Sequence, residues 1–229
     1  MPHQSAIGFY GSAVVPLYPP VIDDGNTVAW YDSQLLSTII KDGSNLVSRW
    51  NDRLLSGRDL IQANGANQPT WNADGILSNL KFLKTAPFTL NQPEFVYIVM
   101  KQVTHIVYGT FFDGTANNSG NVLGSLATPR IYAAAPTASP DNLNLAVNTW
   151  GILRVLYHGA NSKLIVNATT PTTWNCGTAN MGGFTLGKIG TADLYYSNIH
   201  VKEILVRKTS DVIADETAIY NYLKTKYSL

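Results

Sequence analysis

Thr149–Thr169 reads TWGILRVLYHGANSKLIVNAT: two apolar runs, Thr149–His158 and Ser162–Thr169, joined by Gly159-Ala160-Asn161. Branched aliphatic and aromatic residues fill both runs, and small turn-forming residues separate them, the pattern of an antiparallel hairpin. Upstream, Pro93–Val103 (PEFVYIVMKQV) is almost unbroken in apolar character. Its β-branched and aromatic content makes it a strand, and its lack of alternation makes it one covered on both faces. Downstream, Ser197–Arg207 (SNIHVKEILVR) is a second long strand. Shorter strands are predicted from Thr27, over Thr104–Phe112 and over Pro129–Ala134, with turns at Asp23–Asn26, Asp42-Gly43 and Asn64-Gly65. Asp113–Asn121 and Ala135–Asn144 read as loops. Only Asp215–Lys226 reads as a helix, with Asp215 and Glu216 in its first turn and Lys224 and Lys226 in its last. The fold class is therefore all-β: a two-sheet antiparallel β-sandwich with a short C-terminal α-helix.

The bulk numbers agree. The chain has 229 residues, 45% hydrophobic and 14% charged, with a net charge of +1. Without a basic stripe to displace counterions, nucleic acid is not an expected partner. No apolar run approaches the ~20 residues of a membrane-spanning helix, so no membrane partner is expected. The single cysteine, Cys176, excludes an internal disulfide framework. Residues 1–26 combine prolines (Pro2, Pro16, Pro19, Pro20) with apolar side chains and read as an extended N-terminal arm. No basic, apolar leader opens the chain, so synthesis in a cytoplasm without a signal peptide is expected.

Several words carry a resemblance. AWYD (Ala29–Asp32), VSRWND (Val47–Asp52), GRDLIQ (Gly57–Gln62), ANQPTW (Ala66–Trp71) and LKF (Leu80–Phe82) stand in order. The Thr149–Thr169 hairpin, FTLGK (Phe184–Lys188), the Ser197–Arg207 strand and the ending IYNYLKTKYSL (Ile219–Leu229) follow. Together they resemble the concanavalin A-like, laminin G-like jelly-roll modules over about residues 27–229. Two departures stand out: the corner Asp52–Gly57 and the helix approach Ser210–Glu216 differ from the family's usual words. The resemblance implies a jelly roll whose rim recognises sugars, in a superfamily that also contains glucanases.

Catalytic patterns are sparse. A glycosidase needs two carboxylates ~5 Å or ~6.5–9.5 Å apart, and no two acids stand two apart on one strand face. The three glutamates are Glu94, Glu203 and Glu216. Glu203 falls on the parity of Ile199, Val201 and Leu205, which predicts partial burial and a structural role, capping loop amides or pairing with one Arg or Lys, in preference to catalysis. Gly182–Lys188 mimics a P-loop, but Ile189 stands where Ser or Thr is needed. No cofactor is expected. Asp113, Asn117 and Asn118 offer oxygens for calcium, yet one carboxylate is a poor start toward six to eight ligands.

For sugar binding, Trp174 with Asn175, the pair Tyr195-Tyr196, and Asp113, Asn117 and Asn118 are the candidates, since pyranose faces stack on aromatic rings and hydroxyls need paired polar groups. The expected function is a non-enzymatic surface module, specifically a bacteriophage virion protein (capsid decoration or tail and fibre attachment) with glycan binding. Its arm would engage other virion or self subunits. The alternatives are a free-standing bacterial carbohydrate-binding lectin and a glycoside hydrolase.

Overall fold

The computed structural model describes residues 18–229, and every strand ladder in it is antiparallel. Two sheets stack face to face. The back sheet runs in the order Thr172–Trp174, Ser162–Val166, Gly151–Tyr157, Glu94–Thr104, Asn198–Arg207, Gly75–Leu77, Thr70–Asn72. Thr27–Asp32 pairs with the Arg207 end of the long strand Asn198–Arg207. The front sheet runs Leu143–Asn144, Arg130–Ala134, Asn121–Gly124, Thr110–Asp113, Thr185–Leu186, Leu83–Lys84, Leu60–Ile61, Val47–Trp50, Ile39–Lys41.

The back sheet is buried on both faces, which explains the unbroken apolarity of Glu94–Thr104. Val96, Ile98 and Met100 point into the core between the sheets. Phe95, Tyr97 and Val99 point the other way, under the helix Ile213–Tyr227. That helix applies Ile219, Tyr222, Leu223 and Tyr227 to the sheet, the i, i+3, i+4, i+8 stripe that a helix must bury. The helix is not long and apolar enough to cross a membrane. The predicted hairpin forms as Gly151–Tyr157 and Ser162–Val166 around a single turn at Gly159–Asn161, with Leu153 opposite Val166. One predicted strand is shorter than expected: Thr104–Phe112 pairs only from Thr110, because His105 turns aside to bond Gln102 and the Ser125 carbonyl.

Of the arm expected over 1–26, residues 1–17 lie outside the described residues. From residue 18 the chain packs on the outer face of the back sheet, with Ile22 fully buried and the Tyr18 ring edge-on to Trp30 at 4.8 Å. Arg207 clamps this segment. Its guanidinium, also fully buried, donates to Asp211, Asp24, Thr27 Oγ1 and the Val21 carbonyl. The unusual corner at Asp52–Gly57 is organised by Asp52, whose carboxylate accepts from the amides of Trp30, Leu54 and Ser56.

The face of Glu203 differs from its predicted parity. Val201 pairs with Met100 but Glu203 pairs with Val99, so Lys202 is an extra residue and the alternation resets there. Ile199 and Val201 therefore face the inter-sheet core, while Glu203 and Leu205 face the helix. Glu203 is completely buried, beyond the partial burial expected. It accepts from Trp30 Nε1 (2.7 Å), Tyr222 (3.2 Å), Tyr227 (2.7 Å) and Lys226 Nζ (2.7 Å). Lys226 also bonds Asp32 at 2.7 Å. The two carboxylates and one ammonium fasten the helix's last turn to the sheet. Burial, and the like charge of Asp32, push the Glu203 carboxyl upward against the pull of Lys226.

Candidate functional site

The outer face of the front sheet carries two adjoining clefts. Directly paired residues on neighbouring strands share a face. Tyr132 pairs with Leu123, and Leu123 with Thr110, so these three side chains form one row. Further along, Thr185 pairs with Lys84 and Lys84 with Ile61, forming another. The first row floors a cleft of about 240 Å³ and the second a wider one of about 500 Å³.

The smaller cleft is walled by Tyr108, Tyr195, Asn118 and Ile189. Tyr108 and Tyr195 project from turns that are held in the left-handed region, at φ 60° and 53°, and Asn118 sits at φ 57°. Such backbone is uncommon for residues other than glycine and is kept only where surrounding bonds fix it. Here the Tyr108 amide donates to the Gly124 carbonyl (2.9 Å) and the Thr110 amide to the Tyr195 carbonyl (2.8 Å). The two rings meet edge to face at 6.1 Å, and are 38% and 48% exposed.

Their hydroxyls set these tyrosines apart. Of the eleven tyrosines among residues 18–229, seven donate to or share a bond with a protein group through the phenol oxygen: Tyr18, Tyr31, Tyr97, Tyr157, Tyr196, Tyr222 and Tyr227. Three of the remaining four, Tyr108, Tyr132 and Tyr195, line this one cleft. Burial, together with Tyr108, Asp141 and Tyr195, raises the Tyr132 phenol above its ordinary value, so it stays a protonated donor. The cleft thus presents aromatic faces and uncommitted hydroxyls, with no charged side chain in its lining.

Both clefts are shaped by the loop after Thr110–Asp113. Asp113 is fully buried, and its carboxylate accepts from the amides of Gly114, Asn118, Ser119, Gly120 and Gly190. Burial pushes this carboxyl up while the amide donors pull it down. Asn117 Oδ1 accepts from the amides of Thr191 and Ala192, stitching the facing loop to it. Ile189 lines the smaller cleft and Gly190, the next residue, the wider one, so the wall between them is one strand of backbone. A side chain at Gly190 would collide with Ala116, at 2.5 Å from its backbone.

The residues singled out in the sequence separate accordingly. Tyr195 and Asn118 line the smaller cleft. Asp113 and Asn117 shape it from beneath. Tyr196 lies beside it, tilted against Phe82 and bonded to Asp193, its phenol pushed up to about 12 by burial and that carboxylate. Trp174 lies elsewhere, on an edge strand of the back sheet, only 9% exposed, with Nε1 bonded to the Thr137 carbonyl and its ring edge-on to Tyr157. It is a lid on the core and offers no stacking face. Asn175 beside it bonds the Gly177 amide. Of the oxygens considered for calcium, those of Asp113 and Asn117 accept these backbone N–H groups and Asn118 Oδ1 accepts from Asn121 Nδ2 at 2.8 Å, and among the described residues no three His, Cys, Asp or Glu side chains gather as metal ligands. Tyr108 and Tyr132 were missed because they come from separate segments. The local signal for Tyr108 was an aromatic residue just before a glycine in a turn.

No protein-family model matches the chain, and no curated protein matches its sequence. Solved structures do match. A sialidase of Trypanosoma rangeli, in complex with sialic acid, aligns over 88% of this chain with a TM-score of 0.62 at 10% identity. Domain 4 of AbnA, a GH43 extracellular arabinanase of Geobacillus stearothermophilus, in complex with arabinotriose, aligns over 85% of this chain and 97% of its own (TM-score 0.56, 12% identity). A GH54 α-L-arabinofuranosidase aligns over 79% of this chain and 51% of its own (TM-score 0.54, 9% identity). The chain spans about a third of the length of the sialidases it matches. At such identities the likeness is one of fold. It nonetheless corrects the expectation of a non-enzymatic module, since the chains sharing this fold include a sialidase, an arabinanase and an arabinofuranosidase. The virion expectation gains nothing from them.

Proposed function

We propose that the chain is a glycan-binding sandwich of the concanavalin A-like kind, and that it holds sugar in the cleft of Tyr108, Tyr132 and Tyr195. One observation carries the reading: three phenols without a hydrogen-bond partner among the described residues converge on one cleft, while seven of the eight other described tyrosines have one. Sugar rings offer an apolar face and a fringe of hydroxyls, and this lining answers both, by stacking and by hydrogen bonding. Fixed turns at Tyr108, Asn118 and Tyr195 lower the ordering cost on binding. The arabinotriose complex of the similarly sized arabinanase domain supports the same reading.

A glycan array followed by titration calorimetry on the strongest ligand tests it. Tyr108→Ala/Tyr195→Ala should lose about five- to 150-fold in affinity, since each stacking contact contributes about 0.5–1.5 kcal/mol, with circular dichroism checking that the fold is kept. Undiminished binding by that variant would reject the cleft as the site. The enzyme neighbours favour a second reading, in which the chain belongs to a protein that cleaves the glycan it holds. Release of reducing ends from the array-selected ligand is its test.

A further inference from the structure

The smaller cleft, at about 240 Å³, falls below the ~300 Å³ at which ligand sites usually begin. It does not stand alone. The wider cleft of about 500 Å³ opens on the same sheet face, across a wall that changes sides between Ile189 and Gly190. One carboxylate fixes that wall: Asp113 Oδ2 takes both the Asn118 amide of one cleft and the Gly190 amide of the other, at 2.8 and 3.1 Å.

The two linings differ in charge. The smaller cleft has no ionisable group other than its tyrosines. The wider one contains Lys84, exposed on the outer face of its strand, and no acidic residue. Nearby Lys188 is committed: it is buried, donates to the Ala192 carbonyl at 3.0 Å and lies 3.4 Å from Asp193. Lys84 forms no ion pair among the described residues. Gln62, also in the lining and 8% exposed, accepts from the Asn64 amide through Oε1 while its Nε2 has no partner among the described residues. Around these donors, Ile61, Phe82, Ala86 and Pro87 supply an apolar surface.

We infer that the wider cleft is the second subsite of one groove, taking the carboxylate-bearing unit of an acidic oligosaccharide whose neutral neighbour occupies the tyrosine cleft. The carboxylate meets Lys84, and the ring lies over the apolar wall. This rests on the tyrosine cleft being a sugar site.

The test uses the full chain against an array that pairs acidic oligosaccharides, uronate- and sialate-containing, with their carboxyl-reduced counterparts. Calorimetry then follows the best-bound pair. The acidic member should bind at least fivefold more tightly at 50 mM salt, with the preference shrinking at 0.5 M. Lys84→Met should abolish the preference and leave affinity for the reduced member unchanged. Ala86→Glu, which sets a negative charge in the exposed wall against that of Lys84, should cancel it. Equal or tighter binding of the reduced members, or a preference that survives both variants, would overturn the inference. Binding that needs Tyr108 and Tyr195 yet ignores charge would keep the proposed function and remove only this step. Silence across the array would reject both.

Discussion

Glu94 is a carboxyl group in the core, and replacing it should make the protein more stable in a way that depends on pH. It is fully buried at the start of the long back-sheet strand. One oxygen accepts from the Met181 amide at 2.7 Å, and the other has no partner among the described residues. Burial pushes its pKa from 4.5 to about 8. Because the folded value is the higher one, the folded state keeps a proton that the unfolded chain gives up. No penalty exists below the unfolded pKa; stability is lost progressively as pH rises from 4.5 to 8, and the loss is complete above that. About 3.5 pH units at ~1.4 kcal/mol each sets a ceiling of about 5 kcal/mol. Relaxation around the charge trims such penalties, so about 2–5 kcal/mol should be measured. That is a large share of the ~5–15 kcal/mol that holds a typical domain together. Glu94→Gln keeps an acceptor for Met181 and cannot ionise. Urea denaturation of both proteins at constant ionic strength, from pH 5 to pH 9, should give curves that nearly meet at pH 5 and diverge steadily to pH 8, with the variant more stable. Curves that stay parallel across that range would refute the reasoning.

Lys226→Met should cost about 3–5 kcal/mol, because it strands Glu203 as a buried carboxylate without its cation and leaves Asp32 only Arg53, at 3.4 Å; urea midpoints check this. Trp30 fluorescence should shift in the same variant, since its Nε1 shares Glu203. Arg207→Lys keeps the charge but cannot serve Asp211, Asp24, Thr27 and the Val21 carbonyl together, and should lower stability by about 2–4 kcal/mol. Asp113→Asn replaces one acceptor oxygen with an NH2 donor, which faces amides that need an acceptor. Hydrogen exchange should quicken at Asn118 and Gly190, and glycan affinity should fall by more than stability does.

Much of the scaffold could be read from local chemistry. The apolar saturation of Phe95–Met100 announces two covered faces, and the structure supplies a second sheet on one side and the helix on the other. Gly159-Ala160-Asn161 marks its turn because a glycine at φ 51° is needed there. What stayed hidden depends on register. Counting by twos from Ile199 places Glu203 on the wrong face, because nothing in SNIHVKEILVR reveals that Lys202 bulges. The site was half legible for the same kind of reason. Tyr195 and Asn118 stand among turn-formers and are conspicuous, whereas Tyr132 sits within a strand, and only the pairing Tyr132–Leu123–Thr110 shows which way it faces. Trp174 looked equally open in sequence, but its indole is spoken for by a carbonyl thirty-seven residues away.

The covering of the back sheet has a practical corollary. Tyr18 and Leu229 both pack into the apolar layer beneath the helix, so the described chain enters and leaves on the side remote from the clefts. A tag, tether or neighbouring domain spliced onto the carboxyl end would hold the molecule by its rear, with the face that carries the two clefts turned toward whatever lies in front. Immobilising it through that end should therefore leave ligand capture intact.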